Sequence, residues 1–159
     1  MDNAPVPQDA HTHNERRLFG LCILILAAVY AGLYGRQWFA GAADDAYYLA
    51  IARSIILGDG FHWNGLPVLL VPPGWPLLLA GAMKLSADFA LLNLIPPTLT
   101  LLASALWWPV IRRFADPRQT FAVVLLSGIM FHWHRHAFHH YSEAPALCLS
   151  AGAILIAFQ

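Results

Sequence analysis

Long apolar runs separated by short polar segments dominate this chain, and they predict a helical membrane protein. Residues 18–34 contain no charge, and Trp38-Phe39 extend this run beyond Arg36. A helix needs ~20 mostly apolar residues to cross a bilayer, with ~17 as the lower limit. We therefore predict a first spanning helix over 18–38, preceded by a disordered tail over 1–17.

Three later apolar runs predict further spans. The first of them covers 89–111, where Pro96-Pro97 is expected to kink the helix. The other two cover 119–133 and 144–159, and both are short for a span. The last contains only about fifteen apolar residues, fewer than the ~17 that crossing requires. We interpret this last span as incomplete and the chain as a fragment of a larger protein.

The segment 39–88, between the first two predicted spans, has the pattern of a loop with short helices. A helix from Asp45 to about Leu57 is predicted by one apolar face at helical spacing, formed by Tyr48, Ile51, Ala52 and Ile55. Its end is marked by Gly58 and Gly60. The apolar stretch 77–85 is too short to span, so it predicts an interfacial or re-entrant segment.

Arginine clusters orient the predicted spans. Arg16-Arg17 precede the first run, and three arginines follow the second: Arg112, Arg113 and Arg118. Because basic residues concentrate in cytoplasmic loops, both clusters agree with a cytoplasmic N-terminus and an outer loop over 39–88. A cleaved signal peptide is the alternative for the first run, although its apolar core would exceed the usual ~7–15 residues.

Composition supports the membrane class. Hydrophobic residues make up 58% of the chain and charged residues 11%, whereas soluble domains carry ~25% charged residues. The formal net charge of zero removes the electrostatic case for nucleic acid. Cys22 and Cys148 each lie in an apolar run and are interpreted as small apolar fillers. The predicted fold is all-α, a polytopic membrane protein with about four transmembrane helices, the last incomplete, and interfacial helices in the first outer loop.

The clearest candidates for catalytic residues are two adjacent carboxylates, Asp44 and Asp45. The chain has nine acidic residues, and these two stand together at the mouth of the first predicted span. One interpretation places them at the head of a catalytic loop outside the membrane. The other makes them helix-capping residues, with Asp44 at the N-cap and Asp45 in the first turn, where the helix dipole favours a negative charge.

Four motifs together resemble the N-terminal part of a polytopic glycosyltransferase with the GT-C fold. The similar groups are the protein mannosyltransferases and the lipid A aminoarabinose transferases, including bacterial family 39 members. The resemblance covers about 18–159, and it rests on Asp44-Asp45-Ala46-Tyr47-Tyr48 with Ala52-Arg53, on Gly58-Asp59-Gly60-Phe61, on Pro72-Pro73-Gly74-Trp75-Pro76, and on Tyr141-Ser142-Glu143-Ala144-Pro145.

The resemblance implies transfer of a sugar from a polyprenyl-phosphate donor to a protein, lipid or polysaccharide acceptor outside the cytoplasm. Such an enzyme works at the lipid bilayer, here a bacterial inner membrane. Asp44 is then the first candidate for the catalytic carboxylate and Asp45 the second. Glu143 corresponds to an acidic residue in the next outer loop, although Ser142 and Glu143 are also ordinary residues for a helix start.

The same resemblance assigns substrate-binding candidates. Arg53 is expected near the donor phosphate, and Tyr48 and Trp75 are expected in the substrate site. Val71 stands where the aminoarabinose transferases tend to place a lysine, which argues against that substrate. No cofactor follows with certainty, and a divalent metal stays open. The alternative from another class is a small, non-catalytic transport or scaffolding subunit of the membrane.

A histidine-rich segment offers a competing metal site. Five of the eight histidines lie within 132–140, and the candidate ligands at helical spacing are His132, His136, His139 and His140. No second-shell partner that would orient these rings is identifiable in the sequence. Polar anchoring in an interfacial loop is therefore the favoured interpretation of this segment.

We expect the purified chain to contain much less than one zinc ion per molecule, because the histidines serve as polar anchors rather than ligands. Elemental analysis of the chain and of its His136→Ala variant measures this. One zinc per chain that is lost in His136→Ala would establish the metal site instead.

Overall fold

The computed structural model describes residues 8–34, 43–86, 88–130 and 142–158, although the side chains of 8–12, 43–45 and 89 are outside that description. This part of the chain is mostly helical, as the sequence predicts, with one short β-hairpin. The elements in chain order are α1 (Gln8–Leu33), α2 (Ala43–Leu57), β1 (His62–Trp63), β2 (Leu66–Pro67), α3 (Gly74–Leu85), α4 (Phe89–Leu92), α5 (Ile95–Ile111), α6 (Pro117–Ile129) and α7 (Glu143–Ala157).

Helices α1 and α5 are antiparallel, and polar contacts join both of their ends. Near the start of α1, Glu15 Oε1 accepts a hydrogen bond of 2.9 Å from Nε of Arg112, which follows α5. At the other end of α1, the Tyr34 hydroxyl donates to the Ala90 carbonyl oxygen at 2.6 Å. Because Ala90 precedes α5, these two contacts fix the opposed directions of the helices.

Helix α6 returns beside α1, and α7 runs in the direction of α5. The Tyr30 hydroxyl donates to the carbonyl oxygen of Gly128, near the end of α6, at 3.1 Å. Cys148 Sγ, near the start of α7, lies 3.0 Å from the carbonyl oxygen of Leu99. Beyond the end of α7, the Arg113 guanidinium lies 4.8 Å from the ring centre of Phe158. The four long helices therefore alternate in direction along the chain.

Because the helices alternate in direction, their termini gather at two opposite ends of the molecule. One end, here called the basic end, carries Arg16 and Arg17 from α1 and the arginines that flank the α5–α6 turn. The other end, here called the loop end, carries α2, the hairpin and α3. The prediction that both arginine clusters share one end is confirmed by the Glu15–Arg112 pair.

Two apolar clusters form the interior. At the loop end, α2 packs on α3 through Leu49, Ala52, Trp75, Leu79 and Ala80. Between α1, α5 and α6, the second cluster contains Cys22, Leu26, Trp108 and Val124. Cys22 is a buried free thiol within that apolar cluster, as predicted for an apolar filler, and Cys148 is a half-buried free thiol.

Two helical stretches are long and apolar enough to cross a membrane, His13–Leu33 and Ala90–Ile111. The remaining two predicted spans correspond to shorter helices, because α6 has 13 residues and α7 has 15. The prediction of four spans is therefore not confirmed. Residues 131–141, on which the extension of α6 to Trp133 depends, lie outside the described part of the chain.

Two predicted boundaries differ from those observed. Helix α1 begins at Gln8, inside the tail predicted to be disordered, and Glu15 in that stretch gains a tertiary partner in Arg112. Pro96 and Pro97 begin α5 after the short α4, instead of kinking one continuous helix. Proline suits the first helical turn because its missing N–H would have no helical partner there.

The segment that follows α2 forms a short hairpin with a tight turn. Strands β1 and β2 are antiparallel, with Trp63 paired to Leu66. Between them, Asn64 and Gly65 both have positive φ, 51° and 78°. This is the type I′ combination for which Asn-Gly is the preferred pair, because its twist matches that of the strands.

We expect Gly128→Ala to lower the free energy of unfolding by about 1–3 kcal/mol, since overpacking a tight contact has this cost. A Cβ at this position would lie 2.5 Å from Cδ2 of Leu26, which is fully buried. Thermal unfolding in detergent measures the change.

Gly32→Ala in α1 is the matched control, because a Cβ there meets nothing within 4 Å. It should leave stability unchanged or raise it by up to ~1 kcal/mol. In a Leu26→Ala background the added Gly128→Ala should be neutral. A destabilisation that persists in that background would reject the Leu26 contact as its cause.

The two ends should lie on opposite sides of the membrane, with the basic end in the cytoplasm. Single cysteines at Asp59 and Phe114, both exposed positions, test this in a chain with Cys22 and Cys148 replaced by alanine. An impermeant maleimide added to intact cells should label position 59 and not position 114. Labelling of both positions, or of 114 alone, would contradict this topology.

Candidate functional site

The predicted catalytic carboxylates stand at the start of α2. This helix begins at Ala43, so Asp44 and Asp45 both occupy its first turn, and Asp44 is not the residue before the helix. The side chains of Asp44 and Asp45 are outside the described part of the structure. Their position in the first turn is one where the helix dipole favours a carboxylate.

The face of α2 that carries position 44 also carries Tyr48, because residues four apart share one helical face. Tyr48 is half-buried at the edge of the α2–α3 cluster. Its neighbours Leu49 and Ala52 are buried against α3 and hold the helix in place. The Tyr48 hydroxyl is thereby directed to the start of α7.

A contact between Tyr48 and Ser142 joins two motifs that are far apart in the sequence. The Tyr48 hydroxyl and Ser142 Oγ are 3.5 Å apart, across 94 positions of the chain. Ser142 precedes α7 but makes no side-chain capping hydrogen bond. Ser142 is thus not a plain helix cap here, since its hydroxyl faces Tyr48.

Glu143 follows Ser142 and occupies the first turn of α7, where its side chain is exposed. Ser142, directly before α7, therefore meets the second turn of α2 at the loop end, and the first turn of each helix carries acidic residues. Two carboxylate-bearing helix starts beside a tyrosine and a serine hydroxyl can accept protons from, and hydrogen-bond to, a polyhydroxylated ligand.

Aromatic rings line the side of this site that the hairpin provides. The Tyr47 ring meets the Trp63 ring edge-on, with ring centres 5.0 Å apart, and lies 6.3 Å from the Tyr48 ring. Trp63 is 44% exposed, so part of its ring is available to a ligand. Ligand sites are commonly lined by aromatic side chains with a few polar groups.

Trp63 was not identified as a site residue from the sequence. The sequence feature that could have identified Trp63 is the Asn64-Gly65 pair that follows it, because this pair indicates a tight hairpin. That hairpin folds β1 against α2 and so brings Trp63 to Tyr47. In the same strand, His62 Nδ1 is buried and has no hydrogen-bond partner among the described atoms.

Two predicted substrate-binding residues lie elsewhere on α2 and α3. Trp75 is 5% exposed and belongs to the apolar cluster between these helices. Arg53 is exposed, but it lies ~140° around the helix from Tyr48, because the two residues are five positions apart at ~100° per residue. The structure therefore does not bring Trp75 or Arg53 to the Tyr48–Ser142 contact, and their substrate roles stay predictions.

The histidine candidates for a metal site, His132, His136, His139 and His140, lie outside the described residues. Within 8–34, 43–86, 88–130 and 142–158, no group of three or more His, Cys, Asp or Glu side chains is placed to hold a metal ion. The divalent metal left open by the sequence thus has no ligand set in the described part of the site.

Comparisons with protein-family models, with curated proteins and with solved structures gave no match to this chain. The chemistry of the site is therefore argued from its residues and from the motif resemblance.

Proposed function

We propose that this chain is a membrane glycosyltransferase, or its N-terminal part, which transfers a sugar from a polyprenyl phosphate to an acceptor outside the cytoplasm. The observation that carries the proposal is the Tyr48–Ser142 contact of 3.5 Å. It joins the Asp44-Asp45 motif and the Ser142-Glu143 motif, which the resemblance assigns to one catalytic site. A transport or scaffolding subunit would not require these two motifs to meet.

Membrane insertion is supported by how little of the apolar surface is buried. Only 17% of the apolar window in the first spanning stretch is buried within the protein. Large side chains are also exposed on other helices, such as Leu126 at 63% and Leu149 at 74%. Exposed large apolar side chains on several helices favour contact with lipid or with another protein.

The direction of insertion follows from the basic end. Arginines concentrate on the cytoplasmic side of membrane proteins, so the basic end belongs in the cytoplasm. The loop end, with α2 and the start of α7, then lies outside. In a bacterium this corresponds to the periplasmic face of the inner membrane, where an acceptor outside the cytoplasm is available.

In the proposed reaction, Asp44 takes the proton from an acceptor hydroxyl or amine. The acceptor atom forms a bond to the anomeric carbon while the bond from that carbon to the phosphate oxygen breaks. The polyprenyl phosphate leaves with the electron pair, and a cationic side chain stabilises its charge. The motif resemblance assigns this cation to Arg53, although the structure places Arg53 off the Tyr48 face of α2. Asp45 and Glu143 are the further carboxylates of the site.

Tyr48 and Ser142 have positioning and binding roles in this scheme. Their hydroxyls can donate to and accept from the hydroxyls of a sugar. Trp63 offers an exposed ring beside them, against which a sugar ring can pack. The acceptor can be a protein, a lipid or a polysaccharide, because each of these supplies a hydroxyl or an amine.

We expect Asp44→Asn to lower transfer from a labelled polyprenyl-phosphate sugar by ~10²–10⁴-fold, the usual contribution of a general base. Binding of the labelled donor should persist, because the substitution preserves shape and removes only the basic oxygen. Transfer and donor binding are both measured with the chain reconstituted in liposomes.

Asp59→Asn is the matched control, since Asp59 is an exposed carboxylate in the loop after α2. Its transfer rate should equal that of the unaltered chain. Equal loss in both variants, or full activity of Asp44→Asn, would reject Asp44 as the base. An unaltered chain that neither binds the donor nor transfers the sugar would favour the non-catalytic subunit.

A further inference from the structure

A groove at the basic end lies between α1 and α5, far from the Tyr48–Ser142 contact. Its volume is about 440 Å³, within the ~300–1,000 Å³ that ligand pockets occupy. The residues that line it are Glu15, Arg16, Phe19, Ala105, Trp108 and Pro109. They combine one cationic side chain with a mostly apolar wall.

The groove is graded from charged to apolar along the helix axes. Arg16 is exposed near the start of the apolar stretch His13–Leu33 of α1, and Phe19 follows about one turn further into that stretch. On the antiparallel α5, Pro109 lies at the basic end and Ala105 about one turn deeper. The rings of Phe19 and Trp108 meet edge-on with centres 5.3 Å apart and close the groove from inside.

The single carboxylate in the groove is already neutralised. Glu15 Oε1 accepts from Arg112 Nε at 2.9 Å, and Oε2 accepts from Arg112 Nη2 at 3.2 Å. A bidentate pair of this kind satisfies the charges of both partners. The remaining charge at the rim is that of Arg16, so the groove favours an anion.

We propose that this groove binds an anionic phospholipid of the cytoplasmic leaflet. The lipid phosphate pairs with Arg16, and an acyl chain lies against Phe19 and Trp108. The order of charge and apolar surface along the groove matches a lipid molecule, with its head at the membrane surface and its chain below. Basic pockets between membrane helices on the cytoplasmic side bind anionic headgroups in this way.

This site goes beyond the glycosyltransferase proposal and depends only on membrane insertion with the basic end in the cytoplasm. Its ligand is a resident lipid of the bilayer rather than a sugar donor, and it lies at the end of the molecule away from Asp44. A free phosphate would satisfy Arg16 but would leave the apolar wall uncovered, whereas a phospholipid covers both.

The test is native mass spectrometry of the chain in neutral detergent, titrated with phosphatidylglycerol or with phosphatidylcholine of the same acyl chains. We expect preferential retention of phosphatidylglycerol. Arg16→Gln should lower its binding about fivefold, the factor that one basic side chain contributes at an anionic surface. Circular dichroism and thermal unfolding verify that the variant is folded.

Arg17→Gln is the matched control, because Arg17 is an exposed neighbour that does not line the groove. It should change phosphatidylglycerol binding by less than about twofold. Equal losses in the two variants would overturn the proposal, since they would indicate only diffuse attraction to positive charge. Equal retention of both lipids by the unaltered chain would overturn it as well.

Ala105→Phe tests the apolar half of the groove, because it fills the wall without changing any charge. We expect it to lower phosphatidylglycerol binding about as much as Arg16→Gln. Glycerophosphate, the headgroup without chains, should bind neither the unaltered chain nor the variants measurably. Binding of glycerophosphate as tight as that of the lipid would reject the lipid as ligand and leave a phosphate site.

Discussion

The antiparallel registration of α1 against α5 is the constraint on which the rest of the structure depends. It is maintained by one polar contact at each end, Glu15 with Arg112 and Tyr34 with the Ala90 carbonyl. Glu15 and Arg112 are 34% and 25% exposed, so the ion pair adds at most ~1 kcal/mol to stability. The ion pair matters for the alignment of α1 with α5. Apolar side chains pack without direction, so many arrangements in which one helix slides along the other would bury a similar area.

Registration of this pair sets how α6 can approach α1. With α1 and α5 aligned, Leu26 faces Gly128 so closely that α6 can approach only through a residue without a Cβ. The Tyr30 hydroxyl reaches the Gly128 carbonyl across the same contact. Helix α7 lies beside α5, and Ser142, the residue before it, meets Tyr48 at the loop end. The proposed catalytic site and the proposed lipid groove are therefore at opposite ends of one bundle.

The residues that precede α6 and α7 use their side chains differently. Asp116 starts α6 with a full capping box, in which its side chain accepts from the backbone of Arg118 and Gln119. Ser142 starts α7 without any such bond and faces Tyr48 instead. A serine that leaves its helix end uncapped is available to a neighbour or to a ligand. This difference favours a functional interpretation of Ser142 and its neighbour Glu143.

The sequence by itself determined the helical class, the two long apolar stretches and the shared end of the arginines. These features depend on composition and on the spacing of apolar and basic residues along the chain, and neither requires knowing how the helices pack. It also marked Asp44, Asp45 and Glu143 as candidates, but the capping interpretation remained equally consistent with the residues. Only the tertiary structure decided that Trp75 is core and that Tyr48 meets Ser142. Those outcomes depend on how separate helices pack against each other, up to 94 positions apart in the chain, and no local pattern encodes that packing.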